Sequence, residues 1–462
     1  MAKESFVSAL VGAGIKPSPL SIIATGRGKN PTPVKQFINT AWRKWTDEAD
    51  ADGLTDFYGM QTLIAGELFE AGECFVRLRP REISDGLSVP LQLQLIPSEM
   101  LDPTYNEVIS TGRIQCGIEF DKIGRRVAYW FYRNLPGDMM TQPTLGNTRY
   151  RVPANQVLHL FRPIRAGQIR GVPHTLAGMV TLAMLDLYDD AELERKRVAA
   201  LFGAFVKKTP EATEDEVNPF DDGTGGSAHS SNPADVVLDF DLEPGAVIEL
   251  PEGYDVSFAE PADVGGAYEM FQLRMLLRAA AGFGIPYADM TGDLRQTSYG
   301  SIRAGLVAFR RRIEAMQHQV MAFQFCRPVW LRWFDEAMRV RAIEGITATA
   351  FTSAPDLFTV VKWIPPKWDW VDPLKDRQAE KLAVDAGFKP RSDVVEAEGY
   401  DPEENDNRIK ADQERATQLG LKFVTLKTEI IISPSEDDFA EEDPAAPPPT
   451  GAERVAALYG FG

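Results

Sequence analysis

The sequence predicts an α+β protein, and two contrasting patterns carry that expectation. Apolar residues recur at Ile302, Leu306, Phe309, Ile313, Met316, Val320 and Phe323, in alternating steps of four and three, which is one stripe along a long helix. Earlier in the chain the period falls to two. Cys74, Val76 and Leu78 alternate with Phe75, Arg77 and Arg79, and Leu91, Leu93 and Leu95 alternate with Gln92 and Gln94. A strand-rich region with antiparallel pairing, followed by long helices, is the architecture that satisfies both.

Composition limits what the chain can be. Its 462 residues leave room for two to four domains, and 44% hydrophobic with 25% charged residues is the balance of an ordinary globular protein. There are 67 acidic against 49 basic residues, a net charge of -18, which argues against a protein that binds nucleic acid by neutralising phosphates. Cys74, Cys116 and Cys326 stand apart, so neither a disulfide framework nor a thiolate zinc site is expected, and a reducing compartment is the natural setting. The flanks and length of the N-terminus are wrong for a signal peptide, and no apolar run reaches the roughly 18 residues of a membrane span.

Taken in order, residues 1–30 are weakly patterned and read as an extended arm. Short helices are expected over 37–44 and 55–72. Ile114, Cys116, Ile118 and Phe120 read as one strand, joined through a turn near Gly124 to Val127, Tyr129 and Phe131; another strand covers 156–161. After Pro173 a helix is expected over 175–205. It carries Asp186, Asp189, Asp190, Glu192 and Glu194 before Arg195, Lys196 and Arg197, and a solvated face with ion pairs is favoured over acid-base or metal chemistry.

Residues 207–233 form a polar insertion whose glycines lack the order of a phosphate-binding loop. Strand-like stretches follow at 236–240 and 246–250, turning at Pro244 and Gly245. A helix is expected over 266–282, with Tyr268, Phe271, Met275 and Leu276 on one side and Arg274 and Arg278 on another. A polar loop at 286–300 then separates it from the long helix of 301–343, which Pro328 should kink. Consecutive Arg310, Arg311 and Arg312 point about 100° apart and cannot form one stripe, so salt bridges between subunits are favoured over contact with DNA.

A short strand is expected at 357–363. Trp363, Trp368 and Trp370 read as packing at a domain junction rather than as an aromatic ligand platform. Three more helices are expected, over 372–387, 391–399 and 401–419. The acidic, proline-rich residues 433–462 read as a disordered tail.

Several runs resemble the portal proteins of tailed bacteriophages, lambda family. They are WRKWTDEADADGLTDFYGMQTLIAGELFEAGECFVRLRP at 42–80, LEPGAVIELPEGYDVSFAEP at 242–261, AAAGFGIPYADMTGD running into GDLRQTSYGSIRAG at 292–305, and PPKWDWVDPLKDRQAEKLAVDAG at 365–387. They occur in the family's order over roughly 30–415. The resemblance implies a portal fold: a mixed wing at 31–172, a descending stem helix at 173–202, a clip at 203–258, an ascending stem helix at 259–285, a channel loop at 286–300, a kinked wing helix at 301–343 and helical wing and crown segments at 344–432.

The function so implied is an oligomeric ring, a dodecamer in the family, at one capsid vertex. Double-stranded DNA is packaged and ejected through its channel without sequence preference. Terminase, the major capsid and scaffold proteins and a head–tail adaptor are its partners, and the ring is assembled in the host cytoplasm. The polar residues matching the channel loop are Asp293, Arg295, Gln296, Thr297, Ser298 and Tyr299; Asp186, Asp189, Asp190, Arg274 and Arg278 fall on the stem helices. No cofactor, metal, membrane or catalytic residue is implied.

The enzyme reading finds little in the residues themselves. His159, His174, His229 and His318 form no H-E-x-x-H, and neither a G-x-S-x-G elbow nor a Walker sequence occurs. A soluble hydrolase with an unrecognised site is therefore the weakest reading, and a scaffolding or other structural virion protein that oligomerises without conducting DNA is the main alternative.

Overall fold

The computed structural model describes residues 1–20, 24–25, 32–136, 148–201, 205–208, 254–257, 267–295, 299–368 and 372–421. They fall into two units, Met1–Pro402 and one beginning at Glu403. The expected extended arm is not what the first residues form. Helix α1 (Ala2–Leu10) buries Phe6 and Leu10, residues one helical turn apart that share a face. The Phe6 ring lies 5.2 Å from that of Phe69 and 4.9 Å from that of His174. Strand β1 (Lys16–Pro19) then pairs antiparallel with residues 361–364, near the other end of the unit. A small ribbon of β2 (Ala24–Thr25) and β3 (Thr32–Pro33) leads into α2 (Val34–Thr46).

Helix α3 (Phe57–Glu70) starts at Asp56, whose side chain accepts the Gly59 N–H at 2.7 Å and so satisfies a free donor of the first turn. Strands β4 (Glu73–Pro80) and β5 (Leu91–Pro97) follow. The next five form an antiparallel sheet in reverse chain order: β6 (Glu107–Ile109), β7 (Gly112–Gln115), β8 (Ile118–Asp121), β9 (Arg126–Tyr132) and β10 (Arg149–Pro153). The single strand expected over 114–120 is thus two. Cys116 and Gly117 have φ of 50° and 76°, the paired positive values of a two-residue hairpin turn. Strand β11 (Val157–Phe161) returns to make a three-stranded sheet with β4 in the centre.

Central β4 is covered on both faces, which accounts for the burial of Cys74, Phe75 and Val76 alike. Phe75 meets Tyr129 and Phe131 of the five-stranded sheet, with ring centroids 5.7 and 5.3 Å away. Cys74, Val76 and Leu78 join the main core, where Trp42, Trp45, Phe57, Trp330 and Trp333 gather.

Helix α4 (Leu176–Leu201) descends from this body and α5 (Ala267–Phe283) returns to it; between them β12 (Phe205–Lys208) pairs with β13 (Tyr254–Ser257). The rest of the expected clip, including the strands at 236–240 and 246–250, lies outside the described residues. The chain entering α4 is held by Glu73 at the start of β4. Its buried carboxylate pairs with Arg170, accepts the Gly171 N–H at 2.5 Å and meets His159 Nε2 at 3.0 Å. A Cβ on Gly171 would lie 2.3 Å from the Gly72 carbonyl oxygen, so only glycine permits this approach.

A one-turn helix α6 (Tyr287–Thr291) precedes the long helix, which runs as α7 (Tyr299–Met316), a π-helical stretch over Gln317–Cys326, and α8 (Arg327–Arg339). In the π stretch the register widens from four residues to five, as where Arg327 N–H donates to the Ala322 carbonyl. The apolar seam follows this change. After Val320 the next buried side chains are Met321, Phe325 and Cys326, and Phe323, expected on the seam, is 58% exposed. Pro328 sits just beyond; a π stretch and a proline are two established sources of a bend, here adjacent.

The expected strand at 357–363 is preceded by α9 (Ala348–Ser353) and begins as α10 (Asp356–Thr359), continuing as β14 (Val361–Ile364). Trp363 packs beside Trp42 and Trp330, as junction packing requires; Trp370 is outside the described residues. Helices α11 (Pro373–Asp385) and α12 (Arg391–Ala397) complete the first unit, the former capped by Asp372. α13 (Pro402–Gln418) forms most of the described second unit.

Candidate DNA-channel surface

Helices α4 and α5, expected as the stem, form an antiparallel hairpin locked at both ends by different means. Near the body, Gly178 and Gly282 let the backbones touch. A Cβ on Gly282 would lie 2.8 Å from the Gly178 nitrogen, and one on Gly178 would lie 2.5 Å from the Phe283 ring. Farther down, Asp189 accepts hydrogen bonds from the Tyr268 hydroxyl at 2.9 Å and from Gln272 Nε2 at 3.1 Å. Tyr188 lies against Phe271, with centroids 4.7 Å apart, and the Lys196 ammonium is 5.3 Å from the Tyr268 ring centroid.

Of the five stem residues singled out by sequence, Asp189 alone is built into this hairpin. Asp186, Asp190, Arg274 and Arg278 are exposed. The basic run is partly answered within its own helix, where Glu192 pairs with Arg195 at 2.5 Å and Glu194 with Arg197 at 3.4 Å. Tyr268, Gln272 and the glycine pair were not singled out. Glycines in both helices at matching heights were the available signal, but their pairing depends on a register that local sequence does not show.

The loop begins with a left-handed Gly292 (φ 75°) that ends α6. Asp293 and Arg295 then close on each other. Nε and Nη2 of Arg295 donate to the two carboxylate oxygens at 3.0 and 3.1 Å, and the Arg295 N–H donates at 3.0 Å. This fork, aided by the Tyr287 hydroxyl, holds the Asp293 carboxyl down at about 2. Asp293 and Arg295 therefore cancel each other, and Asp289 is the remaining charge in the described part of 286–300. Gln296, Thr297 and Ser298 lie outside the described residues, and Tyr299 is the first residue of α7.

Arg310, read as a partner for another subunit, lies 5.3 Å over the Trp368 ring of its own chain. His159 is buried against Glu73 rather than facing a cleft. Among the described residues no cluster of His, Cys, Asp and Glu is placed to hold a metal ion, and no helix is long and apolar enough to cross a membrane.

The helical hairpin also exposes apolar surface. Leu176, Val180, Met184 and Leu187, at steps of four, four and three, are 53, 63, 62 and 70% exposed on α4. Such a stripe on a helix already packed along its other side is a candidate interaction surface.

The family model described as "Phage portal protein, lambda family" matches residues 1–317. The chain belongs to the lambda family of phage portal proteins. Among curated relatives, it is 29% identical over 423 residues to the probable portal protein of Halomonas phage phiHAP-1, covering 89% of this chain and 77% of the relative. It is 23% identical over 375 residues to portal protein B of Escherichia phage lambda, covering 76% and 67%. A chain from the neck of an empty GTA particle is similar at 14% identity and a TM-score of 0.44, covering 87% of this chain and 89% of that one. Portal proteins are structural components of the phage particle rather than enzymes, and the mixed α and β architecture described above is this member's version of that role.

Proposed function

We propose that the chain assembles into a closed ring at one capsid vertex, with an axial channel through which double-stranded DNA is packaged and ejected. The exposed apolar stripe of α4 carries this reading. A single chain leaves four large apolar side chains facing water along three turns of the stem, and a neighbouring copy would bury them. The clip at the end of the stem hairpin is where terminase, and later a head–tail adaptor, would dock. Capsid and scaffold proteins would surround the wing, and assembly would take place in the host cytoplasm.

The channel wall acts by geometry and weak electrostatics. An acidic chain whose loop arginine is already paired with Asp293 does not hold phosphate tightly, and non-specific contact suits the passage of a whole genome. The loop at 286–300 would be the part of each subunit nearest the duplex.

Negative-stain microscopy with light scattering on the purified chain tests the ring. Rings with an axial hole roughly 20 Å or more across fit a duplex whose major groove alone is about 12 Å wide. A Met184→Glu variant should shift the population to a 51.2 kDa species. Rings that persist unchanged in that variant would remove the stripe from the interface. Deleting 291–299 should leave rings intact but impair packaging or DNA retention; wild-type behaviour would refute the loop's role. A ring without a pore would favour the scaffolding reading.

A further inference from the structure

Among the described residues, strand β14 is paired along one edge only. Its ladder with β1 sets Lys16 against Ile364, Pro17 against Trp363, Ser18 against Lys362 and Pro19 against Val361. Alternate pairs of an antiparallel ladder exchange backbone hydrogen bonds, and prolines have no N–H to give. The Leu20 N–H donates to the Val360 carbonyl at 2.9 Å, which places the bonded pairs at 20 with 360, 18 with 362 and 16 with 364. The N–H and C=O groups of Val361 and Trp363 therefore point away from β1, and no backbone partner meets them among the described residues.

Beside this strand lies a cleft of about 570 Å³, between Val361, Lys362 and Trp363 on one side and Gln317, His318 and Phe323 of the π stretch on the other. Two features show that the cleft is unfinished in the single chain. Phe323 stands 58% exposed, with the Arg327 guanidinium 5.8 Å from its ring centroid. The indole Nε1 of Trp363 is buried without an acceptor.

We propose that the free edge of β14 receives an extended strand from a second copy of this chain, which pairs with the main chain of Val361 and Trp363 and lies in the cleft under Phe323. The proposal rests on the ring reading. In a closed ring each subunit shows its two neighbours different surfaces, so an unpaired edge on one copy is met by another segment of the next. Charge favours the same occupant: two cations, Arg327 and Lys362, border the cleft against one carboxylate, Glu314, and the chain that would supply the strand carries a net charge of -18. Such pairing takes its affinity from main-chain hydrogen bonds and its selectivity from the side-chain pocket beside them, and it covers an edge that would otherwise invite aggregation.

Amide hydrogen exchange, compared between assembled rings and dissociated subunits of the full chain, tests it. The Val361 and Trp363 amides should exchange quickly in the subunit and about 100-fold more slowly in the ring. Equal exchange in both states, with rings verified by light scattering, overturns the proposal. Protection already present in the dissociated subunit also overturns it, because a segment of the same chain then fills the edge. Val361→Pro removes one outward N–H and should leave the melting of the subunit unchanged while weakening the ring; a ring of undiminished stability counts against the pairing. Should the variant fail to fold, the exchange comparison on the native chain decides. If the chain is only ever a 51.2 kDa species, the ring reading itself fails and this proposal falls with it.

Discussion

His159 and Glu73 meet across the β11–β4 ladder, the imidazole Nε2 3.0 Å from a carboxylate oxygen and both side chains 3% exposed. Burial pushes the imidazole below its ordinary 6.5, and the neighbouring carboxylate only partly opposes this. Burial also pushes Glu73 up, but hydrogen bonds from His159 and Arg170 outweigh it and leave the carboxyl below 4.5.

Both shifts weaken the fold in acid. The unfolded chain protonates this histidine near 6.5 and the carboxylate near 4.5, while the folded chain takes up each proton only at lower pH. Stability from His159 is complete above pH 6.5 and that from Glu73 above 4.5; each is lost as the pH falls through the group's lowered folded value. Thermal melts across that range should show the melting temperature falling in two stages. Glu73→Gln should cost about 3 kcal/mol at neutral pH by leaving Arg170 without its carboxylate, and should flatten the lower stage. A melting temperature independent of pH would remove the pair from the stability of the fold.

The α4–α5 hairpin should be sensitive to single methyl groups where its glycines cross. A Cβ at Gly282 would sit 2.8 Å from a backbone nitrogen, so Gly282→Ala should destabilise by about 1–3 kcal/mol through overpacking. Gly305, inside α7, has nothing within 4 Å of its would-be Cβ, and Gly305→Ala should stabilise by about 1 kcal/mol through helix propensity. Denaturant midpoints of the two variants, moving in opposite directions, are the expected result.

The π stretch inverts the ranking of two phenylalanines. Phe325 is fully buried and stacks on Phe57, with centroids 5.3 Å apart, whereas Phe323 is 58% exposed. Phe325→Ala should cost about 3–5 kcal/mol, and Phe323→Ser in the isolated subunit should stay within about 0.5 kcal/mol of the parent. A regular α-helix carrying the seam read from the sequence would give the reverse order, and equilibrium unfolding distinguishes the two.

Asp293 neutralises Arg295 within the described start of the loop. Asp293→Asn releases that guanidinium, and the affinity of assembled rings for duplex DNA should then fall more steeply with salt, by about 0.9 in log–log slope for each additional phosphate neutralised. An unchanged slope would mean that 293–295 does not meet DNA.

Much of the chain is legible as sequence because its elements are long and strongly patterned. Helices α4 and α5 lie within a few residues of where periodicity puts them, and α11 begins at the Asp372 cap, because capping and breaking are local events governed by neighbouring residues. The order of the family's runs points to a portal protein, which the family match establishes. Less legible are the pieces whose conformation depends on distant partners. Residues 2–10 read as an arm because nine residues cannot hold a helix alone; what holds it is the burial of Phe6 against Phe69 and His174.

The site divides along the same line. Composition and period, written residue by residue, suffice to put acids and arginines on two helices, α4 and α5, and a polar loop ahead of the long helix. Folding in three dimensions selects Asp189, among its acidic neighbours, as the one bonded to Tyr268, turns Arg295 back on Asp293, and faces Phe323 outward. Register and close packing set these outcomes, and neither is encoded locally. Asp189 and Tyr268 are 79 residues apart, and a helix that widens from four residues to five keeps its composition while turning its faces.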